Sequence, residues 1–148
     1  MSTSEFEGLL VQVRAARGPS YALEETIARL LQPVADPRLA AFVSGGDYPG
    51  NYTSKIDEAT SLLNHVLPGW WWTCGLCALT GHASIGPDYN WPERERLVQE
   101  WPPEIYDHGQ FNADLPPGDG THRVCYALLD CMLQALIAKA AGIPVQEG

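Results

Sequence analysis

The sequence predicts an α+β fold, with amphipathic helices packed on a small, mainly antiparallel sheet. Three observations point there. Apolar residues recur at helical spacing in four stretches bounded by capping or stop signals. Between residues 70 and 88 the composition turns to Trp, Cys and Thr, which suits strands. The final apolar stretch is the strongest helix pattern in the chain. At 148 residues the chain fits one domain and buries about two-thirds of its unfolded surface on folding, so it needs neither metal nor disulfide to hold together. No internal repeat and no linker separates a second domain.

The elements follow in order. Ser4-Glu5-Phe6-Glu7 has capping-box spacing, and Phe6, Leu9, Leu10 and Val13 follow on one helical face before Gly18-Pro19 stops the helix. Ser20 caps a second helix with Leu23, Ile27, Leu30 and Leu31 on one face, ended by Pro33 and Pro37. A turn-rich loop runs through Gly45, Gly46, Pro49 and Gly50. Ser54 to Asp57 repeats the capping-box start, and Ile56, Ala59, Leu62, Leu63 and Val66 form the next stripe, closed by Pro68-Gly69. Residues 70–80 read as one strand, Thr80-Gly81-His82 as a tight turn, and Ala83 to Asp88 as the returning strand. The tryptophan strand is expected to be the centre of the sheet. Asn90-Trp91-Pro92-Glu93 opens a short helix to Gln99, and Gly109 to Leu115 alternates enough to add a strand. Thr121 caps the last helix, with Cys125, Leu128, Leu129, Met132, Leu133, Leu136 and Ala140 on one face and Cys131 off it; Gly142 and Pro144 stop it.

Charge narrows the function classes. Nine basic against eighteen acidic residues give a net charge of −9, which argues against direct nucleic-acid binding, because phosphate recognition needs clustered Lys and Arg. Asp88 to Asp119 carries eight of the acids and, as bases, only Arg94 and Arg96. No apolar run is long enough to span a bilayer. The acidic start, MSTSEFEGLL, lacks the basic region of a secretory signal. Cytoplasmic, reduced thiols are the expectation for Cys74, Cys77, Cys125 and Cys131.

GWWWTCGLC, residues 69–77, is the stretch that most suggests chemistry. Cys74 and Cys77 have zinc-ligand spacing, but a structural zinc site wants a second pair. Cys125 and Cys131 lie about 240° apart around a helix and cannot supply it. Zinc held by Cys74, Cys77 and His82 stands as the alternative to cysteines that fill sheet faces as small apolar residues. Trp70, Trp72, Cys74 and Leu76 share one strand face; Trp71, Thr73, Gly75 and Cys77 share the other. Trp70 and Trp72 are expected beneath the helices.

No P-loop, dinucleotide fingerprint, HExxH or nucleophile elbow is present, and the sequence names no catalytic residue. The segment Tyr89-Asn90-Trp91-Pro92 with Trp101-Pro102-Pro103 offers a different chemistry. Tyr89, Trp91 and Trp101 with Glu93, Glu95, Glu100 and Glu104 make a candidate protein interface, since Tyr and Trp are favoured interface anchors within polar rims. The alternative is a long loop pinned to the body by its own aromatics.

NYTSKIDEATSLLNHVLPGWWW at 51–72, GHASIGPDYN at 81–90 and GDGTHRVCYALLDCMLQALIAKA at 118–140 together resemble the phage ABA-sandwich domain family. The resemblance also takes in Gly18-Pro19-Ser20 and covers nearly the whole chain apart from residues 33–50. His122-Arg123 after the last cap, and the long acidic segment, depart from the family pattern. The resemblance implies a three-layer α/β/α sandwich, expression from phage or prophage genes in a bacterial cytoplasm, and no known enzymatic activity. The function expected is a non-enzymatic accessory protein that binds a host or phage protein, with a counter-defence inhibitor as one version. The alternatives are a metal- or small-ligand-binding domain and a structural or assembly component of the phage.

Overall fold

The computed structural model describes residues 3–16, 20–35, 52–53, 55–76, 81–88, 90–101, 105, 110–115 and 120–140. Over these the order is α1 (Thr3–Ala15), α2 (Tyr21–Ala35), α3 (Ile56–Val66), β1 (Trp70–Leu76), β2 (Gly81–Pro87), α4 (Arg94–Glu100), β3 (Phe111–Leu115) and α5 (Gly120–Ala140). The fold is α+β, with helices and an antiparallel sheet packed together. The stop signals at Gly18-Pro19, Pro37, Gly142 and Pro144, the loop at 45–50 and the turn residue Thr80 lie outside the described residues.

The helices form where apolar spacing places them, but the expected caps do not all mark their starts: α1 begins at Thr3 and α5 at Gly120, so Ser4 and Thr121 lie inside the helices. In α1, Phe6, Leu9 and Val13 are buried on one face. Ser20 caps α2 as expected, its hydroxyl accepting the Leu23 backbone N–H at 3.2 Å, a bond worth about 1 kcal/mol. Pro33 does not end α2, which continues helical to Ala35. A proline in a last turn removes a single ladder bond close to where the ladder stops anyway. Ser54, the expected cap of α3, lies outside the described residues. Lys55 takes the cap position in extended geometry and makes no side-chain cap bond, so Asp57 falls one residue earlier in the helix than a capping box requires. At the far end the Leu67 N–H donates to Leu63 O at 2.8 Å.

The sheet has the order β1-β2-β3, both pairs antiparallel. Two expectations are corrected here. Among the described residues the tryptophan strand is an edge, and β2 is the centre because β3 pairs with it. Gly81 and His82 are not turn residues but the start of β2, opposite Leu76 and Gly75. The register places Trp70, Trp72, Cys74, Ala83, Ile85, Ala113 and Leu115 on one face and Trp71, Thr73, His82, Ser84, Asn112 and Asp114 on the other. The first face lies under α5. The second is polar, with Ser84 Oγ donating to Asn112 Oδ1 at 2.6 Å across the strands. A three-layer α/β/α ordering needs a helix on that second face too; among the described residues the extensive helix-to-sheet packing is that of α5 on the first. Trp70 is buried, but Trp72 reaches the sheet edge, 37% exposed, where its indole N–H donates to Asn64 Oδ1 of α3 at 3.3 Å.

α5 is the axis of the core. It packs on all three strands, and on α1 and α3. The expected single apolar face is wrong: every residue from Val124 to Leu133 is buried. A helix apolar around its whole circumference is a core helix. Cys131, expected off the core, faces the sheet, with Sγ 3.5 Å from the carbonyl oxygens of Ala83 and Phe111. Asp130 lies in this buried run and is 2% exposed. Arg14 of α1 meets it with both ends of its guanidinium fork, Nε donating to Oδ2 at 2.7 Å and the second nitrogen to Oδ1 at 3.1 Å. This hydrogen bond raises the Arg14 guanidinium above its ordinary value. Gln134 Nε2 donates to Asp130 Oδ1 at 2.7 Å and to the Asn112 carbonyl at 2.9 Å, which ties the same cluster to β3.

Arg14→Met keeps the aliphatic stem but leaves the buried Asp130 carboxylate with an amide in place of a cation. We expect a loss of about 2–3 kcal/mol, below the cost of breaking a fully enclosed pair because water reaches Arg14. Urea unfolding at neutral pH measures it.

Candidate functional site

The acidic segment is mounted on the body by its tryptophans. Gly69, between α3 and β1, has φ +87, in the left-handed region that favours glycine. It also has no room for a side chain, since a Cβ there would lie 2.2 Å from Cε3 of Trp91. Trp91 therefore seats directly on the glycine backbone, and the Arg96 guanidinium lies over its ring, 5.6 Å from the centroid. At the other end of α4, Trp101 is 5% exposed. Its ring centroid is 4.8 Å from that of Trp70, tilted by 57°, and the Lys139 ammonium lies 4.8 Å from its centroid on α5. Phe111 stacks on Trp70 at 6.1 Å. Trp101 is thus a core residue and not an exposed interface anchor, and Trp91 is half-buried. The two aromatics serve as the pins of the loop.

Between those pins α4 shows its charged face to water. Glu93, Glu95 and Glu100 are exposed, as is the apolar Val98 at 54%; Leu97 is the residue that turns inward. Arg96 pairs with Glu93 at 3.3 Å and with Glu100 at 3.6 Å. Both pairs are open to solvent, where such contacts are worth about 0–1 kcal/mol, so they weaken the negative field of the helix without abolishing it. Asp88 is occupied locally, Oδ1 accepting the Asn90 N–H at 2.9 Å, and Asp114 stands on the polar sheet face. The acids therefore do not form one continuous surface. Tyr89 and Glu104 lie outside the described residues.

The candidate zinc ligands are divided by the sheet. Cys74 pairs with Ala83 and points to the α5 side, half-buried. His82 pairs with Gly75 and points to the opposite face, where its ring covers Gly75: a Cβ on Gly75 would lie 2.7 Å from His82 Cε1. Two residues on opposite faces of one sheet cannot share an ion. Cys77 lies outside the described residues, and among the described residues no three His, Cys, Asp or Glu side chains gather at metal-binding distance. Burial raises the thiols rather than activating them. Cys74 is pushed up, and Cys125 and Cys131 are each pushed up to about 12, by desolvation first and neighbouring negative charge second.

A second buried acid escaped the sequence reading. Glu24 of α2 is 3% exposed. Its Oε1 accepts the Tyr52 N–H at 2.7 Å, and its Oε2 accepts the Thr53 N–H at 2.9 Å and the Thr53 hydroxyl at 2.6 Å. Burial pushes the neighbouring Tyr126 phenol up, opposed by its hydrogen bond with Thr53. The carboxylate here works as a clamp on the chain leading into α3. The available signal was its position: Glu24 falls on the same helical stripe as Ile27, Ala28 and Leu31, all buried.

No family model, curated protein or solved structure matches the chain. No helix of the described residues is long and apolar enough to cross a membrane.

Two outcomes follow from this geometry. Gly69→Ala is expected to cost about 1–2 kcal/mol in backbone conformation alone, and more because the new methyl displaces Trp91. A lowered melting temperature with a red-shifted tryptophan emission is the readout. The raised thiols set an alkaline limit. The folded chain keeps protons on Cys125 and Cys131 where the unfolded chain, with thiols near 9.0, releases them. Stability from this source is intact below pH 9.0 and declines as pH rises from there toward about 12. Urea midpoints across that range check it, and Cys131→Ala should flatten the decline.

Proposed function

We propose that the chain is a non-enzymatic accessory protein of phage or prophage origin that binds another protein through α4. The observation that carries this is the mounting of α4. Two tryptophans fix both its ends on the body while Glu93, Glu95, Val98 and Glu100 stand in solvent. A rigidly held element loses little freedom on binding. An apolar tip among carboxylates suits a basic surface with a small apolar socket, and charge complementarity would speed the encounter. A host protein whose basic surface serves nucleic acid fits that description, which is the counter-defence version of this reading. The phage origin rests on the resemblance in the residues quoted above.

The test is affinity capture of the tagged chain from bacterial lysate, with and without phage infection. The comparator changes Glu93, Glu95, Glu100 and Glu104 to Gln. The expected result is one stoichiometric partner whose capture weakens at high salt and is lost with the comparator. A partner retained by the comparator moves the interface off α4, and the absence of any partner counts against the interaction reading.

A further inference from the structure

We infer that the outer edge of β1 pairs with the β1 of a second copy of this chain, giving a continuous six-stranded sheet across a two-fold axis at Thr73. This inference does not depend on the α4 reading.

The ladder fixes which backbone groups face outward. The Asp88 N–H donates to Gly69 O at 2.9 Å, so residues 69 and 88 form a hydrogen-bonded pair. Opposed residues in an antiparallel ladder alternate. Residues 71, 73 and 75 therefore bond to β2, while Trp70, Trp72, Cys74 and Leu76 aim their remaining backbone groups away from it. Pro87, opposite Trp70, has no N–H to give, which agrees with this phase. Among the described residues no strand occupies that edge.

An antiparallel copy centred on Thr73 sets 70 against 76 and 72 against 74 of its mate. Each of those residues is one that faces outward; the Trp70 N–H is already donated to Leu67 O at 3.2 Å, so the register rests on the N–H groups of Trp72, Cys74 and Leu76 and the carbonyls of Trp70, Trp72 and Cys74. It also places like face against like face. Trp72 and Leu76 are two of the four exposed large apolar side chains among the described residues, at 37% and 48%. In this register Leu76 comes opposite the mate's Trp70, and Trp72 comes opposite Cys74 and diagonal to the mate's Trp72, within reach of an aromatic ring. The exposed Thr73 side chains meet across the axis on the polar face.

The other edge of the sheet is built differently. By the same phase β3 turns Asn112 and Asp114 outward. The Asn112 carbonyl is already taken by Gln134 of α5, and Asp114 adds a charge, both of them devices that blunt an edge. β1 carries no charge and no proline, and Asn64, the α3 residue that meets it at Trp72, is also uncharged. For two chains each carrying −9, this is a place where close approach meets little repulsion, and added salt should favour it.

The experiment is sedimentation of the full-length chain over a concentration series, together with amide exchange by NMR. The expected mass doubles from 16.2 kDa as concentration rises. The amides of Trp72, Cys74 and Leu76 become protected in step, while those of Trp71, Thr73 and Gly75 are protected throughout. Thr73→Lys sets two like charges face to face and should return the chain to monomer, with an unchanged circular dichroism spectrum. Thr73→Cys should cross-link under mild oxidation through a bond mapped to residue 73 of both copies. Opposed residues of a non-hydrogen-bonded pair have Cα atoms about 4.5 Å apart, at the lower limit for a disulfide. A monomer up to roughly 1 mM, a dimer that survives Thr73→Lys without a 73–73 cross-link, or protection of 72, 74 and 76 independent of concentration would each overturn the inference. The last would mean that the chain covers its own edge.

Discussion

Everything in this fold answers to the burial of α5 around its whole circumference. An exposed helix needs one cover; a helix apolar on all sides needs several. β1, β2 and β3 cover one side, and α1 and α3 cover the others, with α2 braced on α1 and α3. The small side chains of β2 are part of the same constraint. A Cβ on Gly81 would lie 2.5 Å from Cβ of Arg123 on α5, and Cys131 rests against the carbonyls of Ala83 in β2 and Phe111 in β3. Larger residues at those positions would force sheet and helix apart, since interiors are close-packed and tolerate little added volume.

Apolar burial has no direction, so it does not by itself say how α1 or α2 should be placed. Two buried carboxylates supply that. Asp130 holds Arg14 in a two-point grip, which sets α1 along α5, and through Gln134 it reaches β3. Glu24 gathers two backbone N–H groups and a hydroxyl from Tyr52 and Thr53, which sets the approach into α3 relative to α2. Each acid has its hydrogen-bonding capacity met, as a buried charge must. Neither arrangement suggests catalysis: in both, the oxygens are consumed by structural partners.

What the sequence disclosed followed the range of the forces involved. The helices of 3–15, 21–35, 56–66 and 120–140 were legible because apolar spacing is a local signal, and the Ser20 cap because it acts over three residues. The β1–β2 pairing was legible because the two strands are neighbours in the chain. That β1 is an edge was not, since it depends on β3, some twenty-five residues further on, choosing β2. The all-round burial of α5 was visible in Val124, Tyr126, Ala127 and Cys131, yet the stripe of Leu and Met drew attention to one face. The placement of individual candidate residues was hidden for the same reason. Trp101 in a Pro-rich acidic run reads as exposed, and only its long-range contacts with Trp70 and Lys139 make it core. Cys74 and His82 read as near neighbours until strand parity sends them to opposite faces.

The start of β1 joins the two surfaces that remain open. Gly69 receives Trp91 and the adjacent Trp70 receives Trp101, so both ends of α4 are anchored on the residues that begin the edge strand. The mounting of α4 and the start of β1 thus share Gly69 and Trp70. The two surfaces nonetheless answer to different forces. The contact proposed for α4 works through charge that salt screens. The β1 edge offers short-range hydrogen bonds and apolar contact, which screening leaves intact while it relieves repulsion between chains of net charge −9. Ionic strength therefore acts on them in opposite directions, and a protein that uses both would exchange one association for the other as its ionic surroundings change.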